Sequence, residues 1–127
     1  MAKTMLIVDD SKLARIVAGK AVAALQPDWK RVEAATGAEA LAAAGADTVI
    51  DAALVDYNMP GMDGLALAAA LRERRPTLPI AIITANVQHE IISRAHAIGI
   101  VFIAKPLTAD SLTEFVAGVA ANAPAEA

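Results

Sequence analysis

The sequence predicts a single α/β domain in which a parallel sheet is covered by helices on both faces. Two observations carry this. Short apolar runs alternate with longer helix-like segments along the whole chain, the order that a parallel sheet requires. Four of the five runs also stop at a residue that chemistry can use: residues 5–8 lead into Asp9-Asp10, 52–55 into Asp56, 80–83 into Thr84, and 101–104 into Lys105-Pro106. As neighbours in one sheet, these runs would gather three carboxylates, a hydroxyl and an ammonium at its carboxyl edge, where open α/β sheets bind ligands.

After the first strand, Ser11 can cap a helix running to about Leu25, with Pro27 beyond its end. The run 29–34 carries Lys30, Arg31 and Glu33 among its apolar residues, the composition of an edge strand. Thr36 and Glu39 have the Thr-x-x-Glu spacing of a capping box opening a helix over 38–44, and Gly45 can close it. Gly64 begins a helix through Arg74, where Arg72, Arg74 and Arg75 suit the negative end of the dipole before Pro76. A helix over 88–98 is closed by Gly99, and Thr108 or Asp110 caps a last helix to about Ala120. The domain is expected over residues 1–121, with 122–127 a frayed tail that has no periodicity.

Composition narrows the classes. With 127 residues the chain fits one domain and can bury a core without disulfides, and it has no cysteine to form any. Its 57% hydrophobic share is largely alanine, and charges interrupt the apolar stretches well short of a bilayer-spanning length. A net charge of -3 argues against direct nucleic-acid binding. The start of the chain has no signal-peptide pattern, so the expected location is cytoplasmic, without membrane insertion.

The strand-end residues define a chemistry. Two adjacent acids with a third from a neighbouring strand make a negative field that raises at least one pKa unless a cation offsets it. Magnesium suits such a site, because it takes oxygen ligands and is shared between carboxylates and a phosphate. Asp56 is then the expected nucleophile, its carboxylate attacking a phosphoryl group to give an acyl phosphate. Lys105 would screen charge on the phosphoryl oxygens, and Thr84 would donate a hydrogen bond to one of them. Asp63, in the loop 57–64, reads as a turn or cap acid rather than a ligand.

Four segments together carry a family resemblance: Val8-Asp9-Asp10-Ser11, Val55-Asp56-Tyr57-Asn58-Met59-Pro60-Gly61-Met62-Asp63-Gly64, Ile83-Thr84-Ala85 and Ala104-Lys105-Pro106. In this order and spacing the chain resembles the receiver domain of bacterial two-component response regulators, over nearly its full length. The resemblance implies a doubly wound, flavodoxin-like five-stranded sheet of order 2-1-3-4-5, the order that family shares with flavodoxin. It implies that Asp56 is the phosphoacceptor, supplied by a sensor histidine kinase or a histidine phosphotransfer protein. Magnesium would be held by Asp10, Asp56 and the backbone carbonyl of Asn58, with Asp9 acting through water. The Lys105-Pro106 bond would be cis.

The same resemblance implies a switch. Phe102 stands where the family usually has an aromatic that moves inward when the threonine hydroxyl, here Thr84, moves toward the phosphate. The output face would be the fourth helix, fifth strand and fifth helix, acting on a downstream protein target. Asn58 and Asn86 would flank the path of the water that hydrolyses the acyl phosphate and so set its lifetime; neither amide can act as a base. His89 and His96, on the fourth helix, have no metal-ligand spacing and read as exposed. Such a protein is not an enzyme beyond catalysing its own phosphorylation and dephosphorylation.

Other readings fit less well. A haloacid-dehalogenase-type phosphatase also uses a strand-end aspartate, magnesium, threonine and lysine, but wants a second acid where Asn58 stands. A flavin-binding flavodoxin needs a phosphate loop where Asp9 and Asp10 follow the first strand. A pseudo-receiver would not keep these acids. The chain is expected to be a stand-alone regulator, with a receiver excised from a longer regulator as the alternative.

Overall fold

A computed structural model describes residues 3–45, 49–59, 63–85, 89–105 and 107–121. Ten elements alternate: β1 (Thr4–Val8), α1 (Lys12–Leu25), β2 (Lys30–Ala34), α2 (Gly37–Gly45), β3 (Ala52–Asp56), α3 (Gly64–Arg74), β4 (Ile80–Thr84), α4 (His89–Ala97), β5 (Val101–Ala104) and α5 (Ala109–Ala121). The five strands are parallel in the order β2-β1-β3-β4-β5, as expected. The first strand starts one residue earlier than its apolar run, at Thr4, and β2 starts one later, leaving Trp29 buried before it.

Burial follows position in the sheet. Every residue of β1, β3 and β4 is buried, because each lies between two strands and under helices on both faces. The edge strand β2 exposes its charged residues. Two cores result. Leu6, Val8, Val55 and Ile82 face α2, α3 and α4, whereas Ile7, Leu54, Ile83 and Ile103 face α1 and α5.

Local chemistry sets the helix starts. The Ser11 hydroxyl accepts from Ala14 N–H at 3.2 Å and Asp63 from Ala66 N–H at 2.8 Å, so Asp63 is a cap, as its sequence context indicates. Thr36 accepts from Glu39 N–H at 3.1 Å, but the Glu39 carboxylate accepts from Ala35 N–H at 2.9 Å, one residue before the group a standard capping box would use. At α5 the cap is Thr108, in a reciprocal exchange with Ser111, and not Asp110. Gly99 closes the turn after α4 with φ of +72°, a left-handed conformation that favours glycine.

Arg72 and Arg75 do more than face a dipole. Arg72 donates to the carbonyls of Pro76, Leu78, Ile98 and Gly99 at 2.6–3.1 Å, tying the end of α3 to the turn between α4 and β5. Arg75 donates to Ile50 O at 2.9 Å, ahead of β3. These bonds satisfy loop carbonyls that the sheet leaves unpaired.

Candidate functional site

The strand ends converge as the apolar runs indicate. Strand parity sorts them onto two faces. Asp9 continues the row of Ile7, Asp56 that of Leu54, and Lys105 that of Ile103, all on the side of α1 and α5. Thr84 and Phe102 belong to the opposite row, with Ile82, on the side of α4. The site is the sheet edge where these faces meet.

Carboxylate oxygens of Asp9, Asp10 and Asp56 all lie within 4.8 Å of one another. Asp56 and Asp9 are buried and Asp10 is exposed. Lys105 Nζ stands 2.9 Å from Asp56 Oδ1, and among the described residues that buried oxygen has no hydrogen-bond partner beyond this ion pair. Lys105 N–H donates to Thr84 O at 2.9 Å and Tyr57 N–H to Ile83 O at 3.0 Å, so backbone bonds join the ends of β3, β4 and β5. Thr84 is fully buried at the end of β4, and Phe102 is half-buried on β5. Asn58 is exposed two residues after Asp56. Asn86, Pro106 and hence the Lys105-Pro106 bond, and the tail 122–127, lie outside the described residues. His96 is exposed on α4.

Crowding of charge shows in the titration behaviour. Burial pushes the Asp9 carboxyl up, the Ser11 N–H at 2.9 Å pulls it down, and the charge of Asp56 adds to the rise. Burial acts to lower Lys105, but its hydrogen bond and charge interaction with Asp56, with Asp9 and Asp10 beyond, outweigh that and raise it. Among the described residues, the three acids of the cluster hold more negative charge than Lys105 offsets. An all-oxygen donor set with a buried, under-partnered carboxylate oxygen fits a hard divalent cation such as magnesium.

Gly64 packs tightly against the end of β3. Gly64 N–H donates to Tyr57 O at 2.7 Å. A Cβ on Gly64 would lie against Asp56 O, 2.7 Å from Tyr57 Cα and 2.9 Å from Asp56 C. Glycine is thus required here by close approach to the Asp56 backbone, a constraint that turn composition alone does not reveal.

Comparison with known proteins agrees with this geometry. The response regulator receiver domain model matches residues 5–117, and the chain belongs to that family. Receiver domains are phosphoacceptor modules of two-component signalling, and this chain is one of them. It is 32% identical over 113 residues to the glycerol metabolism activator of Pseudomonas putida, covering 88% of this chain and 51% of that protein. It is 35% identical over 111 residues to the DNA-binding transcriptional regulator NtrC of Escherichia coli, covering 87% of this chain and 23% of that protein. The chain thus spans about half or less of these relatives. Among solved structures, chemotaxis protein CheY4 of Vibrio cholerae superposes with a TM-score of 0.81 at 28% identity, covering 94% of this chain and 99% of that one. A CheY-like receiver from Methanospirillum hungatei gives 0.80 at 26% identity, covering 93% of each chain. Among the described residues, no helix is long and apolar enough to cross a membrane.

Proposed function

We propose that Asp56 is the phosphoacceptor of a two-component or phosphorelay protein, with Asp10, Asp56 and the Asn58 carbonyl holding magnesium and Asp9 acting on it through water. One observation carries this reading: a buried carboxylate at the sheet edge, paired with Lys105 at 2.9 Å and clustered with two further acids. The donor is a phosphohistidine on a sensor kinase or phosphotransfer protein. Asp56 oxygen attacks phosphorus as the phosphorus–nitrogen bond breaks, and the imidazole nitrogen leaves with the bonding pair. A bound magnesium ion would offset the charge of the acids and of the phosphoryl oxygens. Lys105 then moves from Asp56 to a phosphoryl oxygen, and the Thr84 hydroxyl donates to another. Asn58 and Asn86 border the path of hydrolytic water.

Because Thr84 and Phe102 share the α4 side of the sheet, drawing Thr84 toward the phosphate acts on that side. The face formed by α4, β5 and α5 is the proposed contact for a downstream protein. A near-complete switch needs roughly 5.5 kcal/mol of differential stabilisation, of which a charge-assisted hydrogen bond and a partly desolvated ion pair supply a substantial share. The domain spans residues 1–121, acts without direct contact to nucleic acid, and works in the cytoplasm, where phosphohistidine donors are charged with ATP. Its only catalysis is of its own phosphorylation and dephosphorylation.

Incubation with acetyl phosphate is the test. Labelling is expected with magnesium and not in excess chelator; full labelling in chelator would overturn the assignment of the metal site.

Asp9 and Asp10 are expected to divide their roles. Asp10→Asn should weaken magnesium binding more than Asp9→Asn, as amide shifts during a magnesium titration would show; equal losses would contradict the division. Asp9→Asn should raise the melting temperature of the metal-free protein at neutral pH. With its pKa raised, native Asp9 takes up a proton at higher pH than the unfolded chain does, so wild-type stability rises as pH falls through that range. The advantage of Asp9→Asn should therefore shrink on acidification from the raised pKa toward 3.8, the ordinary value. A pH-independent difference would mean that the Asp9 charge is not the cause.

A further inference from the structure

Arg15 lies on α1, outside the acid cluster, yet one of its bonds reaches the backbone beneath it. Its Nη1 donates to the carbonyl of Asp9 at 2.7 Å, while Nε donates to Glu33 Oε1 at 2.8 Å on β2. The guanidinium is largely covered, with 15% side-chain exposure against 50% for Glu33. A planar fork that bonds two acceptors at once fixes the direction of both.

The acceptor on the site side matters because Asp10 is the next residue. The Asp9 carbonyl belongs to the planar peptide unit that joins Asp9 to Asp10, so its orientation fixes one of the two peptide planes from which the Asp10 side chain leaves the chain. Asp9 itself is held by its N–H to Ala34 O at 3.1 Å and by its carboxylate to Ser11 N–H at 2.9 Å. Asp10 is exposed, and among the described residues no hydrogen bond restrains its carboxylate. Its aim toward the other acids therefore depends on the backbone, and among the described residues the Arg15 side chain is what grips this peptide. Glu33, in turn, orients the guanidinium and offsets its charge.

We propose that Arg15, oriented by Glu33, is a positioning residue for the metal site: it aligns the Asp9–Asp10 peptide so that Asp10 can serve as a direct ligand. This rests on the reading of the acid cluster as a magnesium site. Groups that orient a ligand without touching the metal commonly contribute tenfold or more to its affinity. Arg15 also adds a positive charge behind the acids, which by itself would weaken cation binding. Removing it thus separates the two roles by sign: loss of positioning lowers affinity, and loss of charge alone raises it.

The test is magnesium titration of the full chain, followed by amide shifts, in wild type and in Arg15→Met, Arg15→Lys, Glu33→Gln and Asp10→Asn. Arg15→Met is expected to weaken affinity by about tenfold. Arg15→Lys keeps the charge but lacks the fork, and should recover only part of it. Glu33→Gln should show a smaller loss, of about twofold, because that pair is half exposed. Before any metal is added, Arg15→Met should already shift the Asp10 and Ser11 amides. Unchanged or tighter binding in Arg15→Met, with Asp10→Asn still impaired, would overturn the proposal. Unchanged binding in Asp10→Asn as well would instead overturn the metal-site reading beneath it. If Arg15→Met does not fold, Arg15→Lys and Glu33→Gln carry the test, and wild-type affinity in both would overturn it.

Discussion

Gly64→Ala is expected to lower the melting temperature by about 10 °C and to impair phosphorylation, whereas Gly118→Ala is expected to do neither. At Gly64 the added methyl would meet Asp56 O and approach Tyr57 Cα to 2.7 Å and Asp56 C to 2.9 Å, all backbone atoms that no rotamer change can move. Overpacking against rigid neighbours costs about 3 kcal/mol, which in a domain of this size is of the order of that temperature shift. The strain would be relieved by displacing the end of β3, which carries Asp56, so the site suffers together with the fold. Gly118 lies on α5 with nothing within 4 Å of a built Cβ, and alanine there should stabilise slightly through helix propensity. Thermal melts followed by circular dichroism check both. Equal melting temperatures for the two variants would mean that Gly64 does not press on the Asp56 backbone.

Lys105→Met is the second large effect, and it falls on coupling. In the metal-free protein it leaves the Asp56 carboxylate buried with no cation beside it. Breaking a fully buried pair costs about 3–5 kcal/mol, but Lys105 is 37% exposed, so water softens the loss to about 1–2 kcal/mol. Magnesium should restore most of that stability, since it offsets the same charge. Phosphorylation should persist at a reduced level, because Asp56 and the other acids remain. What should disappear is the response: addition of beryllofluoride, a phosphoryl mimic, should no longer shift the amides of α4, β5 and α5. An undiminished response would assign the coupling to Thr84 alone.

Much of this was legible in the sequence for simple physical reasons. A strand buried on both faces must be apolar, so Asp9, Asp56 and Thr84 mark the ends of β1, β3 and β4 by breaking the run, whereas Lys105 follows the edge strand β5 and is marked only as the first charge after four apolar residues. Helix starts were legible because caps act locally, as Ser11 and Asp63 do within three residues. The sheet order came from the family resemblance, since parallel strands carry no mark of their neighbours. Other features were hidden for the opposite reason. Arg72 reaches the Ile98 carbonyl across 26 residues of sequence, and backbone carbonyl acceptors have no residue signature. Arg15 reaches the Glu33 carboxylate across 18, a pairing set by how β2 lies beside β1 and not by local spacing. Nor could the pair Asp9-Asp10 reveal which member is buried. That depends on the turn after β1, where Asp9 continues the strand by bonding Ala34 O and Asp10 leaves it.

The most direct measurement is to locate the modification itself. The full chain, phosphorylated with acetyl phosphate in magnesium, is trapped with borohydride, which reduces an acyl phosphate to an alcohol, and is then sequenced by mass spectrometry. Reduction is expected at Asp56 alone, with none in Asp56→Asn. Reduction at Asp9 or Asp10 in the wild-type protein, or an undiminished signal in Asp56→Asn, would contradict the assignment of Asp56 as the residue that receives the phosphoryl group.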